Sequence, residues 1–152
     1  MTQQWIVVDL DGTLCEIGHR LSFAQAGQWD LFHQQCIHDD PNEQVALILQ
    51  LLTANLKPIV ALTGRNEQWR KTTIHWLRQH GLSLVFDELL MRPDGNFEPD
   101  HELKIAMLEE FFDSSEGGAI SNVFLVLEDR DKVVQAMRDY GLTVWQVKEG
   151  DY

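Results

Sequence analysis

The chain has 152 residues, 44% apolar and 24% charged, with a formal net charge of −12, a length and apolar share that suit one domain with a real core. The acidity argues against tight, non-specific binding along a polyanion and makes a divalent cation a natural partner, although a local basic patch could still receive one phosphate end. Neither a signal-peptide pattern nor an apolar run of about 18 residues occurs, and Cys15 and Cys36 stand in no CxxC or Cys/His ligand spacing, so the expectation is a cytoplasmic protein with no membrane span, disulfide framework or structural zinc.

The first apolar run, WIVVDL at 5–10, reads as a buried strand and leads straight into Asp9, Asp11, Gly12 and Thr13. The stretch 15–41 is too long for an ordinary βα connection, which predicts a small cover over a site, with a helical piece around 21–35. Within NEQVALILQLLTAN at 42–55, Val45, Ile48, Leu49 and Leu52 fall at i, i+3, i+4 and i+7 and predict an amphipathic helix, which KPI stops. A second strand, PIVALT at 58–63, ends in Thr63, Gly64 and Arg65. Helical spacing returns over 66–80, and SLVFDELLM at 83–91 reads as a third strand shortly before Arg92. Residues 102–113 predict a helix with Lys104 near its start, and DSSEGG at 113–118 is a plain polar connection. NVFLVLED at 122–129 is the fourth strand, running into Glu128, Asp129, Arg130 and Asp131, with Asp131 placed to cap the helix predicted over 131–140. TVWQV at 143–147 is the last strand, and Gly81 and Gly141 stand where a helix C-terminus favours glycine.

Short apolar runs alternating with helical stretches, without repeats or a linker, predict a single α/β domain over 1–152: a Rossmann-like, doubly wound, largely parallel sheet with helices on both faces. In such sheets the ligand crevice lies beyond the carboxyl ends of the strands. The residues at those ends are Asp9 and Asp11, Thr63, Gly64 and Arg65, Arg92, and the acidic group Glu128, Asp129 and Asp131. Hard oxygen ligands at neighbouring strand ends suit Mg²⁺, while a threonine, turn amides and a lysine suit phosphoryl oxygens.

DLDGTL, LTGR, a lysine opening a later helix and LEDRD resemble, in order, the four motifs of the haloacid-dehalogenase-like phosphatases. Arg20 eleven residues after Asp9, Asp100 four before Lys104, and the ending DRDKVVQAMRDYGLTVWQVKEGDY bring the resemblance closest to the 3′-phosphatase domain of bacteriophage polynucleotide kinase/phosphatase. The resemblance implies Asp9 as the nucleophile that attacks phosphorus, and Asp11 as the acid that protonates the leaving oxygen and then activates water. It also implies Mg²⁺ held by the Asp9 side chain, the Asp11 backbone carbonyl and Asp129, with Thr63 and Lys104 as phosphate-oxygen donors. Arg20, Gly64, Arg65 and Arg92 stand as further substrate contacts, with Asp100 and Arg130 in support. Glu128 stands where aspartate is common in the subfamily, and its extra methylene predicts looser support than Asp129 gives.

Duller readings compete with these. A DxD after a strand can be a turn with solvated acids, and Arg65 and Arg92 can be surface salt-bridge partners. His19, His75 and His80 have no ligand spacing and read as ordinary histidines, and Cys15 as a small packing residue. Trp69 and Trp76 could stack on bases, with core packing the better reading. No segment between the motifs can form a cap domain, and a capless core in this family goes with bulky substrates. The expectation is therefore a phosphatase that removes 3′-phosphates from nucleic-acid ends or 3′-nucleotides, against a phosphatase of a small metabolite such as a 5′-nucleotide or a non-catalytic binding module. Without a GxxxxGK[ST] loop, no kinase activity is expected. Arg65, Arg70, Lys71 and Arg78 against Glu67 suggest a basic patch beside the site. Oligomeric state has no signal in the sequence.

Overall fold

A computed structural model describes residues 3–54 and 57–152. Strand β1, Trp5–Val8, is followed by a short strand β2, Cys15–Glu16, and by the helices α1, Leu21–Gln25, and α2, Trp29–Gln34. A short strand β3, Asp40–Pro41, pairs antiparallel with β2 and clasps the two ends of this cover segment together. Helix α3, Glu43–Thr53, strand β4, Ile59–Asn66, helix α4, Arg70–Gln79, and strand β5, Glu88–Arg92, complete one half. The other half comprises α5, Asp100–Phe111, a short α6, Gly118–Asn122, then β6, Val123–Arg130, α7, Asp131–Tyr140, and β7, Val144–Gly150.

The five long strands form one sheet in the order β5-β4-β1-β6-β7, with every neighbouring pair parallel. Because successive strand residues point to opposite faces, Ile6 and Val8 join a core with Val45, Leu49, Trp76 and Leu77 from α3 and α4. Val7, Val60 and Val126 join a second core with Leu103, Leu108, Val134 and Met137 from α5 and α7. The doubly wound α/β arrangement expected from the sequence is thus present, and both faces of the central strands are dry, which is why their sequences read as continuous apolar runs rather than alternating ones. β1 sits centrally, so Asp9 emerges where the chain turns to opposite sides of the sheet.

Several boundaries differ from the sequence reading. Residues 83–85 form a turn and 86–87 irregular backbone rather than strand, with Leu84 93% exposed; the regular ladder with β4 begins at Glu88. The predicted 21–35 helix is broken into α1 and α2 around Gly27. Ile48 is 40% exposed, so the buried stripe of α3 runs through Val45 and Leu49, with Leu52 packed at its margin. The end of the predicted 42–55 helix, Asn55, lies outside the described residues. Gly81 and Gly141 follow α4 and α7 with positive φ. Asp131 is the first residue of α7 and not its cap; its Oδ1 accepts from Gln146 Nε2 at 2.7 Å and ties α7 to β7. Trp76 is fully buried and donates to the Asp39 carbonyl, so it belongs to the core, and Cys15 and Cys36 are free and buried. Among the described residues no helix is long and apolar enough to cross a membrane.

Candidate active site

The carboxyl ends of β1, β4 and β6 converge on a cleft of about 340 Å³. Beyond β1 the chain folds into a tight loop in which the Leu10 carbonyl accepts from the amides of Thr13, Leu14 and Cys15. This loop needs φ near +86° at Gly12, and a Cβ there would lie 2.2 Å from Asp129 Oδ2. Only glycine lets the Asp9–Asp11 loop approach the end of β6 so closely.

Asp9 is buried, and its Oδ1 accepts from Lys104 Nζ at 2.7 Å. Its Oδ2 is buried without a hydrogen-bond partner. Lys104, on the first turns of α5, also reaches Glu128 Oε2 at 2.8 Å and Asp100 Oδ2 at 3.3 Å, one ammonium among three acids. Glu128 is not the loose support expected from its extra methylene: its other oxygen accepts from the amides of Asp129 and Arg130, so the longer side chain bends back to cap its own turn while still reaching Lys104. Asp129 accepts from Thr13 Oγ1 at 3.2 Å. The Tyr152 hydroxyl lies 3.0 Å from Asp129 Oδ2 and 2.9 Å from the Asp11 carbonyl, its single proton serving two acceptors.

Burial and the neighbouring Glu128 push the Asp9 carboxyl up to about 8, against the pull of Lys104. Burial likewise raises Glu128 and Asp129 to about 7, with the Asp9 charge adding to the rise at Asp129. Burial would lower Lys104, but Asp100, Asp9 and Glu128 outweigh it and keep the ammonium charged well above its ordinary range. Oxygen atoms of Asp9, Glu128 and Asp129 lie within 4.8 Å of one another. With the unpartnered Asp9 Oδ2 and the glycine cradle at Gly12, this hard-oxygen set fits a divalent cation such as Mg²⁺.

Asp11 has the opposite environment. Burial pushes its carboxyl up, but Arg65 and Arg20 overcome that and hold it well below the usual carboxylate range. Arg65 grips it through Nε at 3.0 Å and Nη2 at 2.6 Å, and Arg20 through Nη2 at 2.5 Å. Both arginines are fully buried, and both approach Asp39, which Arg20 engages through Nε at 2.7 Å and Nη2 at 2.5 Å. Arg20 and Arg65, expected to touch substrate, are therefore committed to Asp11 and the buried Asp39 and do not themselves line the cleft; nor is Arg65 a surface partner.

The cleft wall holds Asp9, Asp11, Gly64, Arg92, Asp100, Lys104, Glu128 and Arg130. Thr63 lies fully buried behind it, its Oγ1 accepting from the Arg65 amide at 3.2 Å. Arg92 donates to the Gly64 and Glu98 carbonyls and pairs with Asp100 at 3.3 Å, and Arg130 lies 3.5 Å from the same carboxyl. The basic patch read from 65–80 shrinks, because Arg65 is buried and Arg70 is bound by Glu67 at 2.6 Å. Asp39, Tyr152 and His33 were missed by sequence reasoning. Asp39 and His33 lie in the cover segment and Tyr152 beyond the last strand, where no motif spacing points to a site.

A family model described as the polynucleotide kinase PNKP phosphatase domain matches residues 3–152. The chain belongs to the PNKP phosphatase-domain family, within the haloacid-dehalogenase-like phosphohydrolases. A chain in the structure of the Pnkp1/Rnl/Hen1 RNA repair complex superimposes with a TM-score of 0.80 at 26% identity, over 99% of this chain and 44% of that one. This chain thus spans less than half the length of that relative. More distant structures share the fold: a putative phosphatase from Clostridium difficile, with a TM-score of 0.64 at 15% identity over 95% of this chain and 84% of that one, and L-2-haloacid dehalogenase from Xanthobacter autotrophicus, with a TM-score of 0.65 at 16% identity over 97% and 78%.

Proposed function

We propose that this PNKP-type domain is a Mg²⁺-dependent phosphomonoesterase that removes 3′-phosphates from nucleic-acid ends or 3′-nucleotides through an aspartyl-phosphate intermediate. The observation that carries the reading is Asp9: a buried carboxylate on the cleft wall, fixed at one oxygen by Lys104 and unpartnered at the other. In the first step Asp9 Oδ2 attacks phosphorus, the bond from phosphorus to the leaving nucleoside oxygen breaks, and Asp11 supplies the proton to that oxygen. In the second step Asp11 takes a proton from water, which displaces Asp9 and releases inorganic phosphate. Asp11 is held as an anion by Arg20 and Arg65, which suits the second step; its acid role requires those contacts to loosen as the anionic substrate enters.

The Asp9 and Asp129 carboxylates and the Asp11 carbonyl would hold Mg²⁺, which supplies charge neutralisation that lets an anionic nucleophile meet an anionic phosphate. Lys104 offers the phosphoryl oxygens positive charge, with the Gly64 turn as a further donor, while Thr63 behind the wall braces that turn through the Arg65 amide. Arg92 and Arg130 line the same cleft and would meet the remainder of the substrate. The likeness to a chain of an RNA repair complex supports a nucleic-acid end as substrate.

The test is turnover of a 3′-phosphorylated oligonucleotide, a 3′-mononucleotide, their 5′-phosphorylated counterparts and several sugar phosphates by wild type and Asp9→Asn. The 3′-phosphates should be preferred, and Asp9→Asn should lose on the order of 10⁴-fold in kcat while remaining folded. A preference for 5′-nucleotides or sugar phosphates would move the assignment to metabolite chemistry, and near-normal turnover by folded Asp9→Asn would remove the nucleophile.

A further inference from the structure

Two aromatic side chains on separate elements border the mouth of the cleft. Phe97, in the turn between β5 and α5, is 91% exposed, and Trp29, the first residue of α2, is 42% exposed. Both line the reaction cleft and also the shallow hollow that opens beside it. A single exposed apolar ring is ordinary on a protein surface. Two rings bordering one opening that leads to Asp9 form a more specific arrangement. Trp29 is braced before any ligand arrives: its ring meets Phe32 edge-on with centroids 5.7 Å apart, stacks on His33 at 6.4 Å, and lies 5.9 Å from the Arg130 guanidinium carbon. Arg92 and Asn96 border the same opening, as do the acids Asp30 and Glu98. At about 340 Å³ the cleft lies within the range of small-ligand sites, larger than a phosphate group alone needs.

We propose that Trp29 and Phe97 form a stacking site for the nucleobase of the terminal nucleotide, so that the substrate is selected by a base-bearing end and not by its phosphate alone. This rests on the phosphatase reading of the cleft and deepens it to a substrate class. A sugar phosphate has no planar apolar face to place against the rings, whereas every nucleobase has one, and stacking is largely indifferent to base identity. Phosphotyrosine is also planar, but the likeness to a chain of an RNA repair complex favours a nucleotide end. Recognition by stacking on few contacts also fits an acidic protein that cannot track a long polyanion.

The experiment compares kcat/KM for thymidine 3′-phosphate, the matching base-free deoxyribose 3-phosphate and phosphotyrosine in wild type, Phe97→Ala and Trp29→Phe. Phe97 has almost no packing to lose, and Trp29→Phe retains a ring. Wild type should favour the base-bearing over the base-free substrate by roughly tenfold or more, and Phe97→Ala should bring that ratio towards one. Equal ratios in wild type and Phe97→Ala, or a preference for phosphotyrosine, would overturn the proposal while leaving the phosphatase intact. A second readout does not need turnover: fluorescence of 2-aminopurine deoxynucleoside 3′-phosphate should be quenched on binding to Asp9→Asn, and much less so when Phe97→Ala is added. If wild type hydrolyses none of the three substrates, the phosphatase reading fails, and the quenching comparison alone decides for or against the stacking site.

Discussion

Asp9 and Asp11 stand two residues apart with opposite electrostatics: the first is raised by burial among acids, the second clamped by two guanidinium groups. Opposed environments are how two like groups acquire different tasks. The clamp depends on Asp39, a fully buried carboxylate that also accepts from His19 at 2.7 Å. Asp39→Asn leaves Asp11 as the one carboxylate against both arginines, so Asp11 should be held still lower. The expected result is a fall in kcat, an acid limb of the pH–rate profile displaced to lower pH, and about 3 kcal/mol of lost stability from the broken buried pair. A lower active fraction with an unmoved pH profile would mean that Asp39 serves only the fold. Tyr152 offers a second case, because its hydroxyl stands on two of the oxygens assigned to Mg²⁺. Removing one competing hydrogen bond by Tyr152→Phe should tighten divalent-ion binding roughly two- to tenfold, measured as Mn²⁺ affinity by electron paramagnetic resonance. An unchanged affinity would show that the phenol yields its place at no cost.

At the scale of elements, the site is made by loops that fix strand ends against each other. The turn after β1 is the most constrained, since Gly12 combines a left-handed φ with close approach to Asp129. Gly12→Ala should destabilise the protein by about 1–2 kcal/mol from the backbone conformation alone. It should also weaken Mg²⁺ binding, because the new methyl must displace the Asp129 carboxylate. Thermal melts with and without Mg²⁺ check both effects; a variant that gains as much stability from Mg²⁺ as wild type would contradict the cradle. The 15–41 segment shows why some elements escaped sequence reading. Its helices are too short to display a period, and their burial comes from a small cluster in which Ile17, Ala24 and Phe32 pack with Tyr152 from the far end of the chain. The strand expected over 83–91 starts late, at Glu88, for a related reason: apolar composition was right, but pairing with β4 sets where a strand begins.

For the whole molecule, the acid cluster ties stability to pH and, on the proposed function, to Mg²⁺. The raised pKa values of Asp9, Glu128 and Asp129 mean that between their ordinary values near 4 and about 7–8 the folded protein binds more protons than the unfolded chain. Stability therefore falls as pH rises through that window. His33 acts the other way: burial lowers it to about 4, which favours the folded state as pH rises towards the ordinary histidine range. Above pH 6.5 that contribution is complete, so the metal-free protein should lose melting temperature between about pH 6.5 and 8, and the increment from Mg²⁺ should grow over the same interval. A flat melting temperature in EDTA across this interval would show that the cluster does not take up protons as a unit.

The sequence by itself determined the alternating α/β order, the parallel sheet and the strand-end residues Asp9, Asp11, Thr63 and Asp129, because apolar runs report strands buried on both faces and strand-end polar residues report the crevice, while Lys104 stood out only through the order of the motifs it resembles. The tertiary structure alone decided how those residues are used. What an arginine faces depends on what packs beside it: Arg20 and Arg65 lie between Asp11 and Asp39 of the cover segment, and Glu128 curls back on its own turn. Tyr152 reaches Asp11 across 141 residues of chain, and Phe97 and Trp29 come to one opening from separate segments. Such contacts arise from long-range packing, which has no local period or spacing from which it could be read.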